Sequence, residues 1–426
     1  MAKNRRRNKR TLKKITDVIS LKTFLIILAI LSAIILVCLT TIFYRNYQDA
    51  KLLAKQREEL DKNIDAIFTE TVKNIENSNE TTRDTIIRVS AVGDILCGEE
   101  MLEDAYDKET KNYDFSHMFQ NITGFISRSD IVVGTMETNF TSSAYSGYGN
   151  RNSPREFAQA VKNSGINLVT ISTNHSLDYG IEGLKNTKKY LQELGYDTVG
   201  DNLEENAVTI KTVKNVKLAF LSYTYGIENE SSKTAKELAA INIFSKEKAK
   251  KELEYAKENA DYIFVLMHWG EAYATTPSKK QEEIADFLVE NGANVILGNH
   301  PAAIQPMEVR QNSEGENVFI AYSLGNYISS IANDISKIEL VLNIELRKSG
   351  TDGKVILSKV DYTPIYVLDN GVGAENRYEL IDMKGAAKTY ANGEKNISKQ
   401  TYNKLIEGLK VLEKIVVSEN TSGGTL

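Results

Sequence analysis

The pattern of apolar segments predicts an α/β fold whose strands are at least partly parallel, and two observations carry that prediction. From about residue 85 onward, short apolar runs alternate with amphipathic stretches at helical spacing, which is the order of a sheet covered by helices. Several of those runs also end in residues able to bind metal or protons: Gly93-Asp94, Asn174-His175, His268-Trp269-Gly270 and Gly298-Asn299-His300-Pro301. Open α/β folds assemble a site from distant sequence at adjacent strand ends, so these groups are expected to converge on one edge.

Taken in order, the chain opens with a basic block. Lys3, Arg5, Arg6, Arg7, Lys9, Arg10, Lys13 and Lys14 fall within residues 1–14 with no acid among them. An unbroken apolar run at 23–43 follows, about the length of ~20 residues that crosses a bilayer as a helix. With positive charge on its N-terminal side, residues 1–22 are expected to be a cytoplasmic tail and everything after Tyr44 to lie outside the cell, in a single-pass arrangement. No small-x-small cleavage pattern follows, so the segment is read as an uncleaved anchor. Residues 44–84 are polar and charged, with Leu52, Leu53, Leu60, Ile64 and Ile67 at irregular helical spacing, and read as a helical stalk ending in a linker at 77–82.

Strands are expected at 86–92, 131–134, 167–171, 216–223, 262–267, 295–297, 318–323 and 338–346, and helices at 157–162, 180–194, 246–259 and 279–291. Residues 85–346 thus form the main domain. Residues 347–426 form a β-rich extension, with antiparallel edge strands at 354–367 and 377–382, closed by a helix at about 399–417. The net charge of −5 gives no general basic field, which argues against nucleic acid as a partner. The two cysteines, Cys38 and Cys97, are too few and too far apart for a zinc finger. Cys97 stands alone in the external part, so stability there rests on an ordinary core.

A single histidine at a strand end is more often a hydrogen-bonded structural residue than a ligand. Three of the chain's four histidines in that context, joined by an Asp and an Asn, point instead to a bound metal. The richest turn is 170–180, where an amide, an imidazole and a carboxylate (Asn174, His175, Asp178) precede a glycine and a helix. Trp269, the single tryptophan, fits core packing or the wall of a substrate site. Asn326, closing the turn 322–327, fits a residue that orients a neighbouring loop.

An ordered set of motifs carries a resemblance. Gly93-Asp94-Ile95-Leu96, Tyr113-Asp114-Phe115, Glu137-Thr138, the run from Thr173 to Gly180, His268-Trp269-Gly270, Gly298-Asn299-His300-Pro301 and Tyr322-Ser323-Leu324-Gly325-Asn326-Tyr327 follow one another across 86–366. Together they resemble the bacterial poly-γ-glutamate capsule synthesis protein family of the CapA type, which is similar in fold to calcineurin-like metallophosphoesterases. The resemblance implies an αββα sandwich of two facing sheets flanked by helices. It also implies a membrane-anchored, outward-facing component that makes or exports an anionic poly-γ-glutamate polymer alongside membrane-embedded synthesis subunits. On the same basis Asp94, Glu137, Asn174, His268 and His300 map as ligands of a divalent cation (Mn, Zn, Mg or Fe), with Glu137 as the bridging acid. His175 maps as a proton donor, positioned by Asp178.

Departures from the pattern sharpen the expectation. Metallophosphoesterases carry a histidine where this chain has Leu96, and the family commonly has one where this chain has Ala302; both would serve the same metal. One well-held ion is therefore expected, with the second position weak or empty. Two activities remain open on the residues: a metal-dependent phosphoesterase, hydrolase or transferase acting on envelope substrates, and a non-catalytic subunit that binds the anionic polymer.

Overall fold

The structure, a computed structural model, describes residues 83–416 apart from 127, 205–206 and 395–396. The expected anchor at 23–43, its basic flank and nearly all of the stalk lie outside the described residues. Among the described residues no helix is long and apolar enough to cross a membrane.

In chain order the strands are β1 (Thr85–Ile95), β2 (Tyr106–Asp107), β3 (Asn112–Tyr113), β4 (Ile131–Met136), β5 (Leu168–Thr170), β6 (Asp197–Val199), β7 (Thr209–Val213) and β8 (Val216–Thr224). They continue as β9 (Tyr262–His268), β10 (Val295–Asn299), β11 (Met307–Gln311), β12 (Asn317–Ala321), β13 (Asn326–Ile328), β14 (Ile338–Lys348), β15 (Val355–Asp369) and β16 (Tyr378–Asp382). The first large sheet runs β16-β15-β14-β1-β4-β5-β6, with β13 pairing onto the end of β1. Its β1, β4, β5 and β6 are parallel, and β14, β15 and β16 extend it as the antiparallel edge. A second sheet runs β11-β12-β10-β9-β8-β7, with β8, β9, β10 and β12 parallel. A small β2-β3 hairpin stands apart from both.

Strand periodicity explains the layers. In β8, Leu218 and Phe220 face the first sheet and join Val89, Ala91, Ile131, Val133 and Leu168 in the core between the sheets. Their neighbours Ala219 and Leu221 face the other way, onto Leu253, Ala256, Ile284 and Leu288 of the helices Lys246–Asn259 and Lys279–Glu290. On the outer face of the first sheet, Val132 and Val169 pack against Phe157, Leu184 and Leu191 of the helices Arg155–Asn163 and Gly180–Glu193. The result is the αββα sandwich expected. Phe264, fully buried between the sheets and stacked on Phe220 at 5.0 Å, holds that interface; truncation to alanine is expected to cost about 3–5 kcal/mol.

Helix boundaries follow local chemistry. Ser278 and Gln281 form a reciprocal capping box at the start of Lys279–Glu290, and the Ser245 hydroxyl accepts from the Lys248 amide at the start of Lys246–Asn259. Most strands run one to three residues past the expected ends. β1 therefore carries Asp94 within its last turn of pleat, and β9 carries His268 as its final residue. The C-terminal ends of the parallel strands of both sheets open on the same end of the sandwich. Two buried contacts tie the sheets there, Thr170 Oγ1 to Ser222 Oγ at 2.5 Å and Asn299 Nδ2 donating to Thr135 Oγ1 at 2.5 Å.

Candidate metal centre

Four separate strand ends supply the site. β4 delivers Glu137, the turn after β5 delivers Asn174 and His175, β9 ends in His268, and β10 runs into His300. Glu137, His268 and His300 place ligand atoms all within 4.8 Å of one another. Asn174 Oδ1 lies 2.8 Å from His268 Nε2, and His300 Nδ1 lies 3.1 Å from that same nitrogen. Asn174 Nδ2 donates to Glu228 Oε1 at 3.0 Å, which turns the amide oxygen toward the imidazoles.

Local sequence sets each of these positions. The turn carrying Asn174 and His175 is locked by Ser176, whose hydroxyl reaches the Ile171 carbonyl at 2.6 Å and receives the Thr173 amide at 2.8 Å. Gly298 allows β10 to pass close to its neighbours, because a Cβ there would stand 2.0 Å from the Tyr322 carbonyl oxygen and 2.5 Å from Trp269 Nε1. Two residues on, His300 adopts φ 97°, a conformation that costs a non-glycine residue about 1–3 kcal/mol. Its amide donates to Asp94 Oδ2 at 2.8 Å, so a buried carboxylate helps hold that backbone.

Asp94 lies behind the imidazoles. Its Oδ1 is 3.5 Å from His268 Nδ1, and both atoms are buried without a hydrogen-bond partner. A proton on His268 Nε2 would serve Asn174 and leave this pair orphaned. A proton on Nδ1 aims at Asp94 and turns the Nε2 lone pair into the cluster, where Asn174 Oδ1, His300 Nδ1 and the Glu137 carboxylate also stand. An imidazole lone pair, an amide oxygen and a carboxylate meeting in this way form a set of acceptors that a divalent cation fits.

Burial shapes the charges. It lowers His268 to about 4 and His300 to about 3, so both rings are neutral near pH 7 and keep lone pairs for a cation. Burial also pushes Asp94 up to about 7, and it raises Glu339 well above the usual carboxylate range. Glu339, on β14, is fully buried beneath the loop, and its Oε2 accepts from the Asn326 amide at 2.7 Å.

His175 stands beside the cluster. Its Nδ1 lies 2.8 Å from Asp178 Oδ2, and its Nε2 is 4.0 Å from Glu137 Oε1. The fourth histidine, His117, pairs with Asp104 at 2.9 Å well outside this arrangement and reads as structural. Trp269 belongs to the core, 1% exposed, stacked on Tyr322, with its indole N–H donating to the Tyr322 carbonyl at 2.8 Å. Asn326 contacts Ser329 and Glu339 and orients the loop.

Three contributors were not singled out in the sequence. Arg151 places Nη1 2.5 Å from Glu137 Oε1; it sits in an aperiodic loop, and no local signal marks it. Tyr225 sets its hydroxyl 3.3 Å from His300 Nε2, and Glu228 holds Asn174. Tyr225 directly follows β8, so the strand-end rule applied to every run would have found it.

A protein-family model described as "Bacterial capsule synthesis protein PGA_cap" matches residues 88–330, more than half of the chain. The chain is 29% identical over 279 residues to "Capsule biosynthesis protein CapA" of Bacillus anthracis, covering 62% of this chain and 65% of that protein, slightly less than two thirds of its length. It is 24% identical over 290 residues to "PGA biosynthesis protein CapA" of Bacillus subtilis (strain 168), covering 66% of this chain and 73% of that one. Among solved structures, the NAD nucleotidase NadN of Haemophilus influenzae aligns with a TM-score of 0.45 at 14% identity, over 78% of this chain and 61% of that one. The calcineurin-like phosphoesterase YfkN of Bacillus subtilis aligns with a TM-score of 0.41 at 14% identity, over 78% and 99%.

Proposed function

Because the chain belongs to the bacterial capsule synthesis protein family PGA_cap, we propose that it serves in the making or export of poly-γ-glutamate, with one divalent cation at its strand-end site. The observation that carries the site is the meeting of Glu137, His268 and His300 within 4.8 Å, completed by the Asn174 amide oxygen. One carboxylate, one amide oxygen and two neutral imidazoles suit a first-row ion such as Mn, Fe or Zn better than Mg. Such an ion supplies Lewis-acid polarisation of a phosphoryl or carbonyl oxygen.

The chain's own residues divide the remaining work. Asp94 orients the His268 ring and fixes the His300 backbone. Asp178 holds the Nδ1 proton of His175, which leaves Nε2 as the atom that holds or gives a proton at the open side of the cluster. The apolar run at 23–43 anchors the domain outside the cell, next to membrane-embedded synthesis subunits and their anionic product.

Apolar residues at Leu96 and Ala302 favour a second reading, a polymer-handling subunit that uses one cation to grip carboxylates while a membrane partner forms the bonds. Two variants separate the readings. In a strain whose polymer output depends on this chain, His268→Ala is expected to lose the cation and abolish output under either. His175→Ala is expected to keep the cation and cut output at least tenfold if the site performs acid catalysis. Full output from a folded His175→Ala protein establishes the binding role instead.

A further inference from the structure

Arg151 is built into the site more firmly than an incidental salt bridge requires. Its amide donates to Asp178 Oδ2 at 2.8 Å, the oxygen that also holds His175. Its carbonyl receives the Asn139 amide at 3.2 Å and Asn139 Nδ2 at 3.1 Å, and that same Nδ2 reaches the His175 carbonyl at 2.9 Å. The Asn139 amide thus fastens the backbones of Arg151 and His175 together, and the Asp178 carboxylate joins the Arg151 backbone to the His175 ring. The geometry leading into residue 151 is fixed as well, since the fully buried Asn152 caps the loop by receiving the Thr141 amide and donating to the Ser143 carbonyl.

Its side chain reaches inward from the rim. Nη1 comes within 2.5 Å of Glu137 Oε1, yet this buried nitrogen lacks a hydrogen bond of ordinary geometry. Among the described residues this is the one polar contact of the guanidinium. The side chain is 21% exposed, against 6% for Glu137 and 10% for His175, so it stands more open than either. A guanidinium carries five N–H donors in a planar fork that matches an oxyanion. Its charge also bears on Asp94, His268 and His300 together.

We infer that Arg151 is the substrate-recognising residue of this site, receiving an oxyanion, carboxylate or phosphate, between the cation ligands and His175 Nε2. This rests on the proposed handling of an anionic substrate at the cluster. A guanidinium needed merely to neutralise Glu137 would not require a backbone shared with the His175–Asp178 pair, nor a partly open fork. The carboxylate of a γ-glutamyl unit and a phosphoryl group offer the same paired oxygens, and the test distinguishes them.

The test is calorimetric titration of the full-length Mn2+-loaded protein with tri-γ-glutamate and, separately, with inorganic phosphate. Arg151→Gln is expected to weaken at least one of them by about tenfold or more without lowering Mn2+ affinity, since it removes a positive charge from beside Glu137. The weakened ligand identifies the source of the oxyanion. Arg151→Lys keeps the charge without the fork and is expected to weaken the same ligand by about threefold or more; it decides the matter if the glutamine variant does not fold. Unchanged affinity for both anions in a folded variant, or no binding of either by the wild type, overturns the assignment. The capsule reading fails on a different result, normal polymer output from cells lacking this chain.

Discussion

At the scale of single residues, Asp94 performs two tasks with one carboxyl group. Oδ2 holds the His300 amide in a backbone conformation that few side chains adopt, and Oδ1 faces the inner nitrogen of His268. Partners of this kind set the tautomer and aim of a ligating imidazole, and their loss commonly costs 10–100-fold in metal affinity. Asp94→Asn keeps the volume and an acceptor oxygen but removes the charge that favours a proton on His268 Nδ1. We expect its Mn2+ affinity, measured by competition with a chelator, to fall by about 10–100-fold while the protein stays folded. Equal affinity would mean that Asp94 neither binds nor orients the ion.

At the scale of elements, the site is a consequence of where strands stop. β1, β4, β5, β9 and β10 were legible as apolar runs, and each delivers a polar residue at or just past its end. The helix Lys246–Asn259 coincides with its expected bounds because a serine cap and an uninterrupted periodic pattern mark it. Shorter elements were not legible. β6, β11 and β13 owe their strand character to neighbours already in place, and β7 is half-buried with no clean alternation. Arg151 was invisible because its relation to Glu137 exists only once the loop after β4 has folded back. Glu339 left a trace, a single acid inside the apolar start of β14, and its meaning depended on knowing that β13 crosses above it.

That buried acid gives a pH prediction for the strand. Its folded-state affinity for protons is raised by burial, so above the unfolded value near 4.5 the folded chain keeps a proton that the unfolded chain has released. Stability therefore declines as pH rises through this window, since the native state binds more protons. Glu339→Gln removes the titration and retains an oxygen for the Asn326 amide. Melting temperature followed from pH 5 to 8 is expected to show a flatter decline than wild type, with the variant at least as stable at pH 8. A steeper decline in the variant would contradict a neutral, buried Glu339.

At the scale of the whole molecule, the proposed cation ligands come from both sheets: Glu137 and Asn174 from the first, His268 and His300 from the second. A bound ion is then a crosslink at the open end of the sandwich, supplementing the Thr170–Ser222 and Asn299–Thr135 contacts beneath it. An ion that binds only the folded chain stabilises it by about 2.7 kcal/mol at a hundredfold excess over its dissociation constant. For a domain of this size that corresponds to a rise in melting temperature of roughly 4–5 °C, reversed by chelator. The number of ions follows from the same geometry. Leu96 and Ala302 are buried apolar groups at the positions where the resemblance to metallophosphoesterases would put histidines for a second metal, and neither offers a nitrogen ligand. Elemental analysis of the purified protein is expected to give one tightly held equivalent per chain, lost in His268→Ala together with the thermal shift. Two tightly held equivalents would refute the single-ion site, and with it the argument that an in-line mechanism using two metals is closed to this chain.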